Sequence, residues 1–596
     1  MRSSLLAVLC TIAQLVIAQE IKIHSHNDYL QNVPFWEAYA NGLQSIEVDI
    51  FLKDDILYAA HGESDIIRNR TLENLYLQPL RKASSLQLGE VQKLQLLVDI
   101  KSEARSTLGK LVAVLEGYPD IIHNPKISIV ISGNRPEPKA YARYPDYILF
   151  DYQQLEDMED KAYWDKVALI SLNLKNFSRW NGKGRFTAAD LENVRKVVQL
   201  AHSRKKPFRF WATPDSKTAW KALSDLGVDY INTDMPYACS AYLKTLGHRV
   251  YTNTLTSKVY VPSYVSDQGS GKVQNLILLI GDGNGLSQIS AATLANGGNL
   301  TLTQFKSIGL LKTQSADDFT TDSAAGATAL ATGQKTNNRA IGTDSQGNPL
   351  ENITEILKAK GFNSGCITTD HIAGATPASF YAHRTDRSET EGILSDLSKS
   401  KLSLLIGGGS TELGEQLGIK GFSSVALLGN LGKTKADKVV HFLGQGGVPS
   451  VRKGRGPVLK EATQQALAFL KSKKRPFFLL VEGAQIDSYG HAKDTGGIVT
   501  EGIDFDKAVG EALKFADADG QTLVLVTADH ETGGFSIPQG SLKDKTIEGD
   551  FTTHDHTGAM IPIFAYGPGS QYFQGVYGNN TVFDKMLEAL EVEKNR

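Results

Sequence analysis

The sequence predicts an α/β protein of two domains: an N-terminal (β/α)8 barrel of the TIM type, then an open, mostly parallel α/β sheet covered on both faces. Three observations carry this. The chain has 596 residues, more than one ordinary domain holds. In its first part eight short apolar runs alternate with amphipathic stretches, the rhythm of a barrel. In its second part the apolar runs lengthen into strands buried on both faces, separated by helices and Gly-rich turns.

Composition bounds the function. Hydrophobic residues make up 41% and charged residues 21%, which excludes a disordered or fibrous chain. With 63 basic and 65 acidic residues the net charge is −2, so there is no global field for nucleic acid or an anionic membrane. The 3 cysteines exclude a disulfide-dense scaffold and Cys-based zinc modules. Cys239 and Cys366 are far apart and no disulfide is expected.

Residues 1–18 open with Arg2, continue through the apolar run Leu5 to Ala18 and end Val16-Ile17-Ala18. That reads as a secretory signal peptide, too short to span a bilayer, and implies a secreted or periplasmic protein. Residues 19–255 hold the barrel strands IKIHSH, SIEVDIFL, LQLLVDIK, ISIVISG, YILFDY, VALISLNL, PFRFWATP and DYINTDMP. Residues 256–272 (VYVPSYVSDQGSGK lies within them) are rich in Pro, Ser and Gly without helical period and read as a linker. Residues 273–596 form the second domain.

In the second domain three strands end in acids: Ile277–Ile280 before Asp282, Phe478–Val481 before Glu482, and Leu523–Thr527 before Asp529 and His530. Ligands gather outside the carboxyl ends of such strands. One acid there is a helix cap; three with histidines point to a metal. Asp487 and His491 stand four apart, on one face of a helix, and His554 and His556 follow late in the chain. Asp/His sets suit zinc and all-oxygen sets suit magnesium. The nucleophile candidate is Ser323 in TDSAAGATALATG, at the start of a small-residue helix whose N-terminus favours an anion. It has no adjacent base, and a zinc ion would supply the activation.

These motifs, together with ATPASFYAHRTDR, EGAQIDSYGH, TADHETGGF and HTG, resemble the alkaline phosphatase family from Asn275 onward. The resemblance implies that Ser323 is the phosphorylated serine. It also implies one zinc site of Asp487, His491 and His556 and a second of Asp282, Asp529 and His530. A magnesium site of Asp282, Thr376 and Glu482 follows, with Arg387 as the phosphate clamp. Family habit makes a homodimer an expectation by analogy. One departure stands out: Gly374, two before Thr376, where many members carry an Asp or His that holds waters on the third metal.

In the barrel Glu47 and Asp49 alternate with apolar neighbours and share one side of a strand. Two carboxylates there repel unless a cation lies between them. Asp99 and Lys101 repeat the device on the next strand, and His26 and His61 are candidate general acid and base. HSHNDY, EVD, His61 and WATPDS…LGVDYINTDMP resemble the glycerophosphodiester phosphodiesterase and phosphoinositide phospholipase C superfamily. By that resemblance Glu47, Asp49 and Asp99 hold a Ca2+ or Mg2+ ion, His26 and His61 do acid–base work, and Lys101 and Arg135 bind phosphate. Asn27 replaces a phosphate-gripping arginine and Asp99 replaces a Glu. The whole chain then reads as a secreted bifunctional phosphoesterase acting on small-molecule mono- and diesters. The alternative is a phosphatase carrying a catalytically silent, phosphate-ester-binding barrel.

Overall fold

The computed structural model describes residues 21–89, 93–410 and 421–593; the apolar segment read as a signal peptide lies outside them. Contacts divide the chain into two compact units, between Leu246 and Gly247.

In the first unit eight parallel strands close on themselves: β1 (Lys22–Ser25), β2 (Ser45–Lys53), β4 (Leu94–Ile100), β5 (Ile127–Gly133), β6 (Ile148–Tyr152), β7 (Val167–Asn173), β8 (Phe208–Trp211) and β9 (Tyr230–Thr233), with β1 pairing both β2 and β9. The short β3 (Ile56–Ala59) folds back antiparallel on β2. Asp54 and Asp55, both at positive φ, make the two-residue turn, which matches the twist of a hairpin.

Alternation along each strand sorts the side chains. Ile46, Val48 and Ile50 are fully buried in the large core beneath the helices. Leu97, Val130, Leu169 and Tyr230 form a small apolar cluster of their own, the floor of the barrel interior. Further along the strands the inward positions turn polar: Glu47, Asp49, Asp99, Ser132, Asp151, Ser171, Arg209 and Asn232, all buried. The barrel is less regular than its sequence rhythm implies. The β5–β6 and β6–β7 connections carry 3-10 turns, Pro138–Arg143 and Lys161–Lys166, in place of α-helices. Pro136, Pro138 and Pro145 account for the first, because proline removes helix donors.

The second unit begins with β10 (Val250–Thr252), β11 (Asn275–Gly281), β12 (Ser307–Lys312), β13 (Asn363–His371), β14 (Leu404–Gly408), β15 (Ser423–Ser424), β16 (Val439–Gly444), β17 (Phe477–Gly483) and β18 (Thr522–Thr527). It continues through β19 (Glu531–Thr532), β20 (Phe535–Ser541), β21 (Thr546–Phe551), β22 (His556–Thr557), β23 (Ile561–Tyr566) and β24 (Gly575–Gly578). Ten of these form one sheet in the order β15-β16-β14-β13-β17-β11-β18-β23-β12-β24, parallel except that β23 runs antiparallel to both neighbours. Both faces are buried. Leu276, Leu278 and Ile280 of β11 enter one apolar cluster, and Ile277 and Leu279 enter the other.

The stretch read as a linker runs as a strap over the second unit. Residues 247–255, expected with the barrel, join the second unit, where β10 pairs antiparallel with β21. Beyond it Ser257 Oγ donates to Asp506, and Tyr260 and Ser263 donate to Asp517. Composition marked the segment as irregular, which it is, but hid its anchors. No helix among the described residues is long and apolar enough to cross a membrane.

Candidate functional site

At the carboxyl ends of β11, β17 and β18 the sheet delivers Asp282, Glu482, Asp529 and His530. The helix Gln485–His491 adds Asp487 and His491, and β22 adds His556. His491 Nε2 and His556 Nε2 lie 3.1 Å apart, and they stand 3.3 and 3.4 Å from Asp487 Oδ1. Bare lone pairs do not crowd this way, whereas ligands on a tetrahedral zinc ion are about 3.3 Å from one another. A second group is centred on His530 Nε2, 3.3 Å from Asp529 Oδ2, 3.6 Å from Asp282 Oδ1 and 3.3 Å from Ser323 Oγ. Asp282 Oδ1 and Asp529 Oδ2 are buried with no hydrogen-bond partner among the described residues. The donor types and the orphaned oxygens fit divalent cations.

Every ring is oriented from behind. His491 Nδ1 donates to the His554 carbonyl and His556 Nδ1 to the Thr321 carbonyl. His530 Nδ1 reaches Thr532 Oγ1 at 3.2 Å, whose own proton goes to Asp487 Oδ1. All three Nε2 atoms are thereby directed into the site, as a hydrogen bond at the far ring nitrogen does for metal-ligating histidines.

Electrostatics without an ion are unfavourable. Burial, then the charges of Asp529, Asp487 and Glu482, push Asp282 well above the usual carboxylate range. Burial and then Asp370 push Glu482 up to about 8. Burial also opposes the charge on Asp487, but His491 and His556 bring it well below the ordinary value. The hydrogen bond to Asp487 raises His491 to about 9.

Ser323 is the first residue of the helix Ser323–Thr332, all of it buried. Asp322 caps this helix, its Oδ1 accepting from Ala325 N. Its Oδ2 accepts from Arg387 Nη1 at 3.1 Å, so one carboxylate fixes both the serine's helix and the arginine. Thr376 is buried in the helix Ala375–Ala378. Asp322, Thr368, Asp370 and Thr532 escaped the sequence reading. Only TDS, with its cap beside the serine, carried a signal for any of them.

In the barrel, carboxylate oxygens of Glu47, Asp49 and Asp99 lie within 4.8 Å of one another; Asp49 Oδ1 is buried with no hydrogen-bond partner among the described residues, and Asp99 Oδ1 has Lys101 Nζ at 3.0 Å. These fit a hard cation. Gly133, at φ 67°, makes room for this set: a Cβ there would meet Asp99 Oδ1 at 2.1 Å. His61 Nδ1 donates to Asp49 Oδ2 at 2.7 Å and Tyr29 OH donates to the same oxygen at 3.0 Å. His26 Nδ1 donates to Asp234 Oδ1 at 2.7 Å. Asn27 sits in the left-handed region, φ 47°, which Asn tolerates better than other side chains.

Two cations complicate the expected ligand set. Lys101 Nζ, expected at phosphate, is 3.3 Å from Asp49 and 3.0 Å from Asp99. Arg209 Nη1 donates to Glu47 Oε2 at 2.8 Å, and His24 Nε2 lies 2.6 Å from that oxygen. Burial and then Arg209 lower His24 to about 3. Arg135 is tied to the Gly133 carbonyl and Gln153 Oε1, both at 3.0 Å. His24, Arg209, Asp151 and Asp234 were not singled out from sequence. The alternation in FRFW, which turns Arg209 away from Phe208 and Phe210, was the available signal.

The second unit's sheet and its serine-centred cluster define a hydrolase of phosphoric monoesters. The alkaline phosphatase family model matches residues 273–416 and 427–547. Alkaline phosphatase 4 of Bacillus subtilis is 31% identical over 418 residues, 55% of this chain and 91% of that protein. The alkaline phosphatase of Escherichia coli K12 is 31% identical over 404 residues, 53% and 86% of the respective chains. The solved alkaline phosphatase from the Antarctic bacterium TAB5 is 39% identical, covering 54% of this chain and 100% of that one, with a TM-score of 0.51; variants of that enzyme carry magnesium in their M3 site. The chain belongs to the alkaline phosphatase family. The AIM6-like phosphodiesterase domain matches residues 14–87, and the glycerophosphoryl diester phosphodiesterase family matches residues 207–237. These two segments carry His26, Glu47, Asp49 and His61, and Arg209 with Asp234.

Proposed function

We propose that this is an exported bifunctional phosphoesterase: its second unit hydrolyses monoesters through Ser323 with two zinc ions and one magnesium ion, and its barrel cleaves diesters with one Ca2+ or Mg2+ ion. The observation that carries the reading is the convergence of three imidazole Nε2 atoms, each ring anchored through Nδ1, on buried carboxylates beside Ser323 Oγ.

Asp487, His491 and His556 would hold one zinc, Asp282, Asp529 and His530 the other, and Asp282, Thr376 and Glu482 the magnesium. When bound, these ions supply the positive charge that lowers the pKa of a hydroxyl or water and neutralises the leaving oxygen. Ser323 Oγ attacks phosphorus in line as the ester P–O bond breaks, giving a phosphoserine that water then hydrolyses. Arg387, steadied by Asp322, grips the phosphoryl oxygens through two parallel N–H donors. The free N–H groups at the start of the Ser323 helix favour the same charge.

In the barrel His61, oriented by Asp49, takes the proton of the attacking nucleophile, and His26, oriented by Asp234, protonates the departing alcohol. Burial lowers the pKa of His26, but the hydrogen bond to Asp234 and the charge of Glu47 outweigh it and leave it raised, which suits an acid. The monoester product is the phosphatase's substrate, so one chain releases phosphate from a diester. A second reading, a barrel that binds without turnover, draws support from Arg209, which already neutralises Glu47. Export rests on the leading apolar run.

Assays of a monoester and a diester on single variants test this. Ser323→Ala removes monoesterase activity and spares diester cleavage, and His26→Ala does the reverse. Loss of both activities in Ser323→Ala would contradict two sites, and a full chain without diesterase activity at any divalent metal would favour the silent barrel.

A further inference from the structure

The end of β13 holds a carboxylate with no assigned role. Asp370 is exposed at the strand's end, and its N–H donates to Thr368 Oγ1 at 2.8 Å. That hydroxyl in turn donates to Glu482 Oε2. One threonine therefore couples the backbone at Asp370 to the Glu482 carboxylate. The chain turns back through the Gly374 N–H to His371 carbonyl bond, 2.8 Å, and brings Gly374 under Asp370.

Gly374 has φ −57°, a conformation open to any residue. A Cβ there would meet Asp370 Oδ2 at 2.5 Å and the His371 carbonyl at 3.0 Å, so a larger residue would displace the carboxylate. The Asp370 carboxylate thus occupies the volume a side chain at residue 374 would fill. Two further atoms point to a ligand. Thr376 Oγ1 and Asp282 Oδ1 are buried and make no hydrogen bond among the described residues, in residues 1% and 7% exposed. Oxygen donors without nitrogen or sulfur suit a hard cation such as Mg2+.

We propose that Asp370 is the fourth oxygen donor of a third divalent-cation site, with Asp282, Thr376 and Glu482, and that Gly374 is glycine to admit its carboxylate. This rests on the magnesium site read above and adds the residue that completes it.

Calorimetric titration of Mg2+ into the zinc-loaded full chain, with zinc content measured alongside, tests it. Asp370→Asn weakens Mg2+ binding by about 10–100-fold and leaves zinc content unchanged. The double variant Asp370→Ala/Gly374→Asp, which moves the carboxylate into the vacated space, recovers most of that loss. Parent-like Mg2+ binding in Asp370→Asn alongside loss in Glu482→Gln would overturn the role of Asp370 and leave the magnesium site standing. Parent-like binding in both variants would overturn the site itself, and this proposal with it.

Discussion

His491 and His556 face each other across 3.1 Å, Nε2 to Nε2, while their Nδ1 atoms are held by the carbonyls of His554 and Thr321. In their neutral form, two imidazoles fixed this way present an acceptor lone pair each and no donor between them. A divalent cation removes that conflict. His556→Ala should therefore lose one zinc per chain and reduce monoesterase kcat by more than about 100-fold, measured by elemental analysis and steady-state kinetics. Chelation should lower Tm, since ions bound only by the native state stabilise it.

Thr532 is the hinge between the two zinc groups, accepting from His530 Nδ1 and donating to Asp487 Oδ1. Thr532→Val frees both partners, and a drop of about 10–100-fold in zinc affinity is expected. Thr532→Ser keeps the hydroxyl and should restore affinity. Competition with a chromogenic chelator reads this directly.

The His26 pair makes the diesterase pH-dependent. Asp234 holds the imidazolium form of His26 and raises its pKa, so the acid is protonated below that pKa and activity falls as pH rises through it. Asp234→Asn removes the anionic partner, lowers the pKa, and should move the alkaline limb of kcat/KM to lower pH. A limb that stays in place, or moves up, would contradict His26 as the acid.

Gly133→Ala asks whether the barrel's acids form a working site. The new Cβ falls on Asp99 Oδ1 at φ 67°, and the left-handed backbone alone costs about 1–2 kcal/mol. Diester cleavage should be lost with monoester hydrolysis retained, as two-substrate assays on one preparation will report.

How much of this was legible beforehand follows from what each residue touches. All eight barrel strands and the acids ending β11, β17 and β18 are visible because alternation and long apolar runs are local properties of the chain. Ser323 is visible because its cap and its helix are contiguous with it. Arg209 is not, because its meaning depends on Glu47, 162 residues away. Asp370 hides for a similar reason: beside His371 it reads as a solvent-facing charge until the backbone brings Gly374 beneath it. The anchors of the strap at residues 256–272 are not legible because Pro, Ser and Gly content reports irregular backbone, while Asp506 and Asp517 lie on the helix Thr495–Asp519.

The decisive measurement is zinc quantification on the purified full chain, by plasma mass spectrometry alongside the His556→Ala protein. Two zinc ions per chain are expected in the parent and one in the variant. A parent that holds no zinc after loading, yet still turns over monoesters, would contradict the two-zinc site.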